Sequence, residues 1–278
     1  MTHNADYSPI GVFDSGYGGL TILKEIRNQL PQYDYIYLGD NARAPYGTRS
    51  FEVIYQYTLQ AVHSLFRMNC KLVILACNTA SAKALRSIQQ NDLPKIDAAR
   101  RVLGVIRPSA EAVGEITRTR HVGILATPGT VMSDSYRLEI KKLYPDITTT
   151  QQSCPLWVPL VENGEHAGPG ADYFIKKNID ELFAQDSGID TVVLGCTHYP
   201  LMIDKIRAAV PQGITILTQG GIVTQSLALY LQRHAELETH FSQGGSCRYY
   251  TSEDPHSFSR LAGMFMGSPV SVEHISLG

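Results

Sequence analysis

Two stretches of the chain, LVILACNTAS at 72–81 and TVVLGCTHYP at 191–200, follow one pattern. Each is an apolar, β-branched run, then a small residue, then a cysteine with polar side chains directly behind it. Short apolar runs that break at small residues read as strands buried on both faces, the kind found in parallel sheets. A cysteine closing such a strand is ordinarily a small packing residue. Packing does not explain why Asn78-Thr79 and Thr197-His198 follow at once. Open parallel sheets bind ligands beyond the carboxyl ends of their strands. If two halves of the chain face one another, Cys77 and Cys196 enter one cleft, one thiol on each side of a ligand.

Outward from these stretches, short apolar runs alternate with helix-like segments. IGVFDSG (10–16) reads as a buried strand and turn, and GGLTILKEIRNQL (18–30) as a helix closed by Pro31. YIYLGD (35–40) is a second strand, NARAPYGTRS (41–50) a loop with Pro and Gly breakers, and 51–69 a helix by its apolar spacing. LVILACNTAS as a whole reads as the third strand, and AKALRSIQQN (82–91) as the next helix. Strands alternating with helices in this order predict a parallel sheet covered by helices. Residues 101–113 add a strand and the start of a helix. HVGILATPGTVMSDSYRLEIKKLYP (121–145) then repeats the opening scheme. Val12 matches Ile124 and Cys77 matches Cys196 at nearly equal offsets, which suggests an internal duplication with halves starting near 10 and 122. ITILTQGG (214–221) reads as a later strand, and the tail adds CRYYTS (247–252), a helix around 257–267 and a last strand VSVEHISL (270–277).

Composition sets limits. The 278 residues are 44% hydrophobic with a formal net charge of -2, as in a soluble globular protein. No block of like charge offers the basic face that a general nucleic-acid binder needs. No apolar run reaches membrane-spanning length, and the first residues lack the basic-then-apolar pattern of a secretory signal, so a cytoplasmic protein is expected. The five cysteines are odd in number and do not read as a disulfide framework. Cys196 and His198 offer two zinc ligands, but no cluster supplies a third and fourth, and no metal is expected.

Chemically capable residues gather at strand ends: Asp14 and Ser15, Cys77 to Thr79, Thr127 to Thr130, and Cys196 to His198. DSGYGG (14–19) ends a strand and opens a helix, a place where backbone N–H groups bind anions. It departs from a dinucleotide fingerprint because Thr21 stands where the third glycine belongs, although Asp40 does end the next strand. Asp14 and His198 are each placed to tune a thiol or hold a proton. APYG (44–47) is a rigid loop suited to presenting N–H groups to a carboxylate, and Glu162 faces either the cleft or solvent.

Taken jointly and in order, GVFDSGYGGLTIL, LGDNARAPYG, ACNTASA, CPLWVPLVENG and LGCTHYPLM resemble the bacterial glutamate racemases of the aspartate/glutamate racemase superfamily, from about Ile10 to the C-terminus. The resemblance implies two pseudo-symmetric α/β domains, each a mainly parallel sheet flanked by helices, with the active site between them. It implies a discontinuous first domain (1–99 and 213–278) and a second of 100–212. It implies cofactor-independent interconversion of L- and D-glutamate for peptidoglycan synthesis, and a homodimer. Cys77 and Cys196 are then the acid/base thiols, assisted by Asp14 and His198. Asp14, Ser15, Pro45, Tyr46, Gly47, Asn78, Thr79, Thr130, Glu162, Thr197 and His198 would hold the substrate. Three positions depart from the common pattern: Thr218 where relatives carry Asp, Gly221 where Glu is frequent, and Ser109 where Gly is frequent. The segment before Ile10 is too short for the activator-binding extension of some relatives. Two rivals from other classes remain: a binding protein that clasps a small anion without reacting with it, and a redox protein whose two thiols form a reversible disulfide.

Overall fold

The structure is a computed structural model that describes residues 8–277. Expectations about the segment before Ile10 therefore lie largely outside the described residues.

Among the described residues ten strands form two sheets: β1 (Ile10–Asp14), β2 (Tyr35–Gly39), β3 (Leu72–Leu75), β4 (Arg101–Gly104), β5 (His121–Ala126), β6 (Thr148–Ser153), β7 (Thr191–Gly195), β8 (Thr215–Leu217), β9 (Cys247–Thr251) and β10 (Val272–His274). The first sheet runs β10-β9-β2-β1-β3-β4 and the second β6-β5-β7-β8. Every pairing is parallel. The central strands β1, β2, β3 and β7 are buried along their whole length because helices cover both faces, which is why they read as unbroken apolar runs.

The order β2-β1-β3-β4 in one sheet is the order β6-β5-β7-β8 in the other. Strand β1 thus corresponds to β5 and β3 to β7, the correspondence that the Val12/Ile124 and Cys77/Cys196 offsets anticipate. In each sheet the chain leaves the first strand to one side and returns on the other. The crevice at such a reversal lies outside the carboxyl ends of the two central strands. Those ends carry Asp14 and Cys77 in one lobe, Thr127 and Cys196 in the other.

Two boundaries differ from the expected ones. Residues 101–104 pair with β3 and extend the first sheet, and residues 215–217 pair with β7 and close the second. The chain therefore crosses between lobes near Val105 and near Thr218, a few residues later than 99/100 and 212/213. The breaks that the resemblance implies fall before these strands, and a strand's own sequence does not declare which sheet will accept its hydrogen bonds.

Local boundaries shift for identifiable reasons. The third strand ends at Leu75, and Cys77 caps the helix Asn78–Lys83, its sulfur accepting from the Ala80 N–H at 3.4 Å. The helix Phe51–Arg67 begins behind Ser50, whose side chain accepts from the Val53 N–H, and stops before 69 because Asn69 adopts a left-handed backbone, φ 65°. ITILTQGG is strand only over 215–217, since Gln219 already opens the helix Gln219–Arg233. Its Gly220 admits the neighbouring helix Gly19–Gln29, for a Cβ there would lie 2.6 Å from Glu25 Cγ. Strand β6 (TTTQQS) escapes sequence reading because it is a polar edge strand paired only with β5. The helix Pro169–Gln185 is likewise unanticipated. Among the described residues no helix is long and apolar enough to cross a membrane.

Candidate active site

A cavity of about 110 Å³ lies between the lobes, with Asp14, Ser15, the 44–48 loop and Cys77 to Thr79 on one wall. Thr127, Pro128, Pro155, Val158, Pro159, Glu162 and Cys196 to His198 form the other. A space of this size takes one compact solute rather than a dinucleotide. Cys77 and Cys196 both line it, and each is only 6% exposed.

On the first wall, Asp14 ends β1 and is buried, its Oδ2 accepting from the Gly16 N–H at 2.8 Å. Burial raises its proton affinity above the ordinary carboxyl range, against the opposing pull of His198 and of the Gly16 and Gly19 amides. Ser15 Oγ lies 3.3 Å from Cys77 Sγ. Burial, reinforced by Asp14, pushes the Cys77 thiol up to about 12, although Ser15 and the Ala80 amide work the other way. Cys77 is therefore a protonated thiol at neutral pH.

On the second wall, Cys196 Sγ lies 3.9 Å from His198 Nδ1, and His198 Nε2 lies 3.0 Å from Glu162 Oε1. Burial opposes charge on the ring. The hydrogen bonds to Cys196 and Glu162 outweigh it and raise His198 to about 10, so the imidazole carries its proton at neutral pH. The helix Trp157–Glu162 brings the carboxylate to the ring. Glu162 thus faces the cleft.

Glycines permit the lobes to meet this closely. A Cβ at Gly18 would collide with Thr197 and His198, and one at Gly129 would sit 2.7 Å from the Gly47 carbonyl oxygen. The Gly129 N–H donates to that same oxygen at 2.6 Å. Thr21, the residue that spoils the dinucleotide fingerprint, donates to Gly18 O at 2.8 Å and lies 3.1 Å from Thr197 O. The DSGYGG turn therefore receives the other lobe where a phosphate would otherwise sit.

Nearly every residue singled out from the sequence lines this cavity: Asp14, Ser15, Pro45, Tyr46, Gly47, Cys77, Asn78, Thr79, Glu162, Cys196, Thr197 and His198. Thr130 does not. It is fully buried behind the wall, 3.3 Å from Thr79 Oγ1 and 3.1 Å from Thr127 Oγ1, and it supports those two hydroxyls. Thr79 and Thr127 are themselves 3.0 Å apart, joining the lobes. Tyr46 lines the cavity, but its hydroxyl donates to the buried Asp40 at 2.5 Å, which leaves the ring and the loop backbone for a ligand. Sequence reasoning missed Tyr136 and Gln219, which hydrogen-bond to Asn78 from behind, and the prolines that shape the second wall. No periodicity or motif marks Tyr136 or Gln219, and Pro155 and Pro159, though inside CPLWVPLVENG, carry no polar group that singles them out.

The doubly switched α/β architecture with one thiol at each switch point defines the class. The Asp/Glu/Hydantoin racemase family matches residues 10–225, and the chain belongs to that family. It is an amino-acid racemase. A glutamate racemase of Streptococcus suis is 37% identical over 273 residues, covering 98% of this chain and 100% of that protein. One from Geobacter metallireducens is 38% identical, covering 98% and 97%. The crystal structure of a glutamate racemase isoform from Bacillus anthracis is similar at TM-score 0.89 and 31% identity over 98% of both chains. That of the Francisella tularensis glutamate racemase in complex with D-glutamate is similar at TM-score 0.87 and 34% identity, again over 98% of both.

Proposed function

We propose that this protein interconverts L- and D-glutamate by a two-thiol acid/base mechanism, and that it supplies D-glutamate for peptidoglycan synthesis in the cytoplasm as a homodimer. The observation that carries the mechanism is the placement of Cys77 and Cys196 on opposite walls of one small cavity. Full-length similarity to glutamate racemases supports the substrate.

Racemisation removes the α-proton from one face of the amino acid and returns a proton to the other. In the L-to-D direction Cys196, as thiolate beside the protonated His198, takes the α-proton. Cys77, a thiol in its buried setting, gives its proton to the opposite face. The products of that turnover are a Cys196 thiol and a Cys77 thiolate, which is the starting arrangement for D-glutamate. The carbanion formed between these steps needs its carboxylate held by fixed donors, and the hydroxyls of Ser15, Thr79 and Thr127 and the Asn78 amide surround the cavity for that purpose. Exclusion of water by the closely apposed lobes strengthens each of these contacts. The chemistry proposed draws on protein groups alone.

The test is incubation with L-glutamate, and separately with D-glutamate, in D₂O without added cofactor, followed by circular dichroism and NMR. The expected result is loss of optical rotation from both sides with deuterium entering at Cα. Binding without exchange would replace this reading with that of a binding protein. Activity that requires a reversible Cys77–Cys196 disulfide would replace it with that of a redox protein.

A further inference from the structure

The two lobe crossings, near Val105 and near Thr218, are tied together by one buried side chain, that of Gln219. Its Oε1 accepts from Asn78 Nδ2 at 2.5 Å. Its Nε2 donates to the Tyr136 hydroxyl at 2.9 Å and to Ser109 Oγ at 2.9 Å, with Val105 O at 3.3 Å. The Tyr136 hydroxyl donates to Asn78 Oδ1 at 2.7 Å, and the Ser109 hydroxyl to Val105 O at 2.8 Å.

The directions of these bonds are fixed by a count of protons. Each hydroxyl has one, given to Asn78 or to Val105, so each can only accept from Gln219. Asn78 donates to Gln219, Gln219 to Tyr136, and Tyr136 back to Asn78: a closed ring whose members polarise one another in one sense. The ring joins the first lobe (Asn78), the second (Tyr136) and the crossing between them (Gln219). Ser109, one of the departures noted in the sequence, supplies the link to the other crossing. Asn78 follows Cys77 directly and lines the substrate cavity, whereas Gln219 and Tyr136 do not line it. One hydrogen of the Asn78 amide enters the ring, and the second is the one available to a ligand.

We infer that Gln219 is a positioning residue for the proton transfer proposed above. Through the ring it fixes which edge of the Asn78 amide meets the substrate, and it holds the lobes at the angle that keeps the two sulfurs on opposite faces of it. The inference rests on the racemase reading. A buried amide serving stability alone would not act through Asn78.

Three single variants and one double variant test this against the wild type, with racemisation followed from both enantiomers and thermal unfolding recorded for each. Gln219→Glu keeps shape and acceptor but loses the donor. Tyr136→Phe opens the ring by removing one hydroxyl without adding charge, which keeps the test valid if a buried carboxylate prevents folding. Asn78→Ala removes the residue through which the ring acts. The expected result is a roughly 10- to 100-fold loss of kcat in folded Gln219→Glu and Tyr136→Phe, with KM moving far less. The double variant Gln219→Glu/Asn78→Ala should be no slower than Asn78→Ala alone. Wild-type kcat in folded Gln219→Glu or Tyr136→Phe overturns the inference, as do losses that multiply in the double variant. A wild-type protein that exchanges no α-proton overturns the racemase reading itself, and that measurement precedes the variants.

Discussion

Cys77 and Cys196 hold the same place in two copies of one topology, yet their neighbours differ in kind. Cys77 is surrounded by neutral donors, a serine hydroxyl and a backbone amide, with the buried carboxyl of Asp14 nearby. Its proton stays on sulfur. Cys196 has a protonated imidazole beside it and a carboxylate behind that imidazole. Charge on this side is held by the ring. Strand order placed both thiols, but it did not make them alike. The two-thiol reaction proposed above takes a proton on one face and gives one on the other, so it needs unlike partners in any single turnover, and the unlike surroundings of the two cysteines support that proposal.

The comparison is broken most severely by removing either sulfur. Cys77→Ser and Cys196→Ser should each lower racemisation by about 1,000-fold or more. The two should differ in what survives. Cys77→Ser keeps the base for L-glutamate and should still wash deuterium into L-glutamate with retention, while Cys196→Ser should do so only with D-glutamate. NMR of the recovered amino acid distinguishes them, and near wild-type racemisation in either variant sinks the two-thiol scheme. Because the equilibrium constant between enantiomers is one, kcat/KM must fall equally for both, so asymmetry is sought in kcat and KM separately.

A smaller effect is expected from Gly18→Ala. The new methyl group meets Thr197 and His198, on the Cys196 side only. Overpacking of this kind costs about 1–3 kcal/mol. Thermal unfolding should show that loss, with a roughly tenfold or greater drop in kcat as His198 is displaced. Unchanged stability and rate would mean the lobes meet less tightly than the contacts indicate.

The smallest effect, and the sharpest for the comparison, comes from Glu162→Gln. The carboxylate helps raise His198 to about 10, so its removal should lower the midpoint at which the ring titrates. NMR of the imidazole measures this directly. The sign for stability follows. A raised folded-state value favours the fold below the ordinary 6.5 and loses that contribution as pH rises through about 10. In the variant the alkaline loss should begin at lower pH, with activity reduced roughly tenfold. An unmoved midpoint would remove Glu162 from the account of Cys196, leaving Cys77 untouched.

Much of this was legible in the chain itself. The strand-then-cysteine pattern at 72–81 and 191–200, the alternation of strands with helices and the paired offsets identified two parallel sheets and the residues at their switch points. These signals are local, since burial on both faces writes apolar runs directly into sequence. The polar edge strand Thr148–Ser153 left no such mark, because half of its surroundings are solvent. Nor did the sequence say that Arg101–Gly104 extends the first sheet and Thr215–Leu217 the second. That choice is made by backbone hydrogen bonds, which carry no side-chain signature.

By itself, then, the sequence determined the architecture, the two thiols and most of the residues that line the cavity between them, because each of these follows from periodicity or from a motif within a few neighbours. Only the tertiary structure decided that Thr130 stands behind the wall, that the Tyr46 hydroxyl belongs to Asp40, and that Asn78, Gln219 and Tyr136 close one hydrogen-bonded ring to which Ser109 is joined. The physical reason is distance along the chain. A buried hydrogen bond between residues 78 and 219 depends on the packing of two lobes and their crossings, and no window of local sequence contains it.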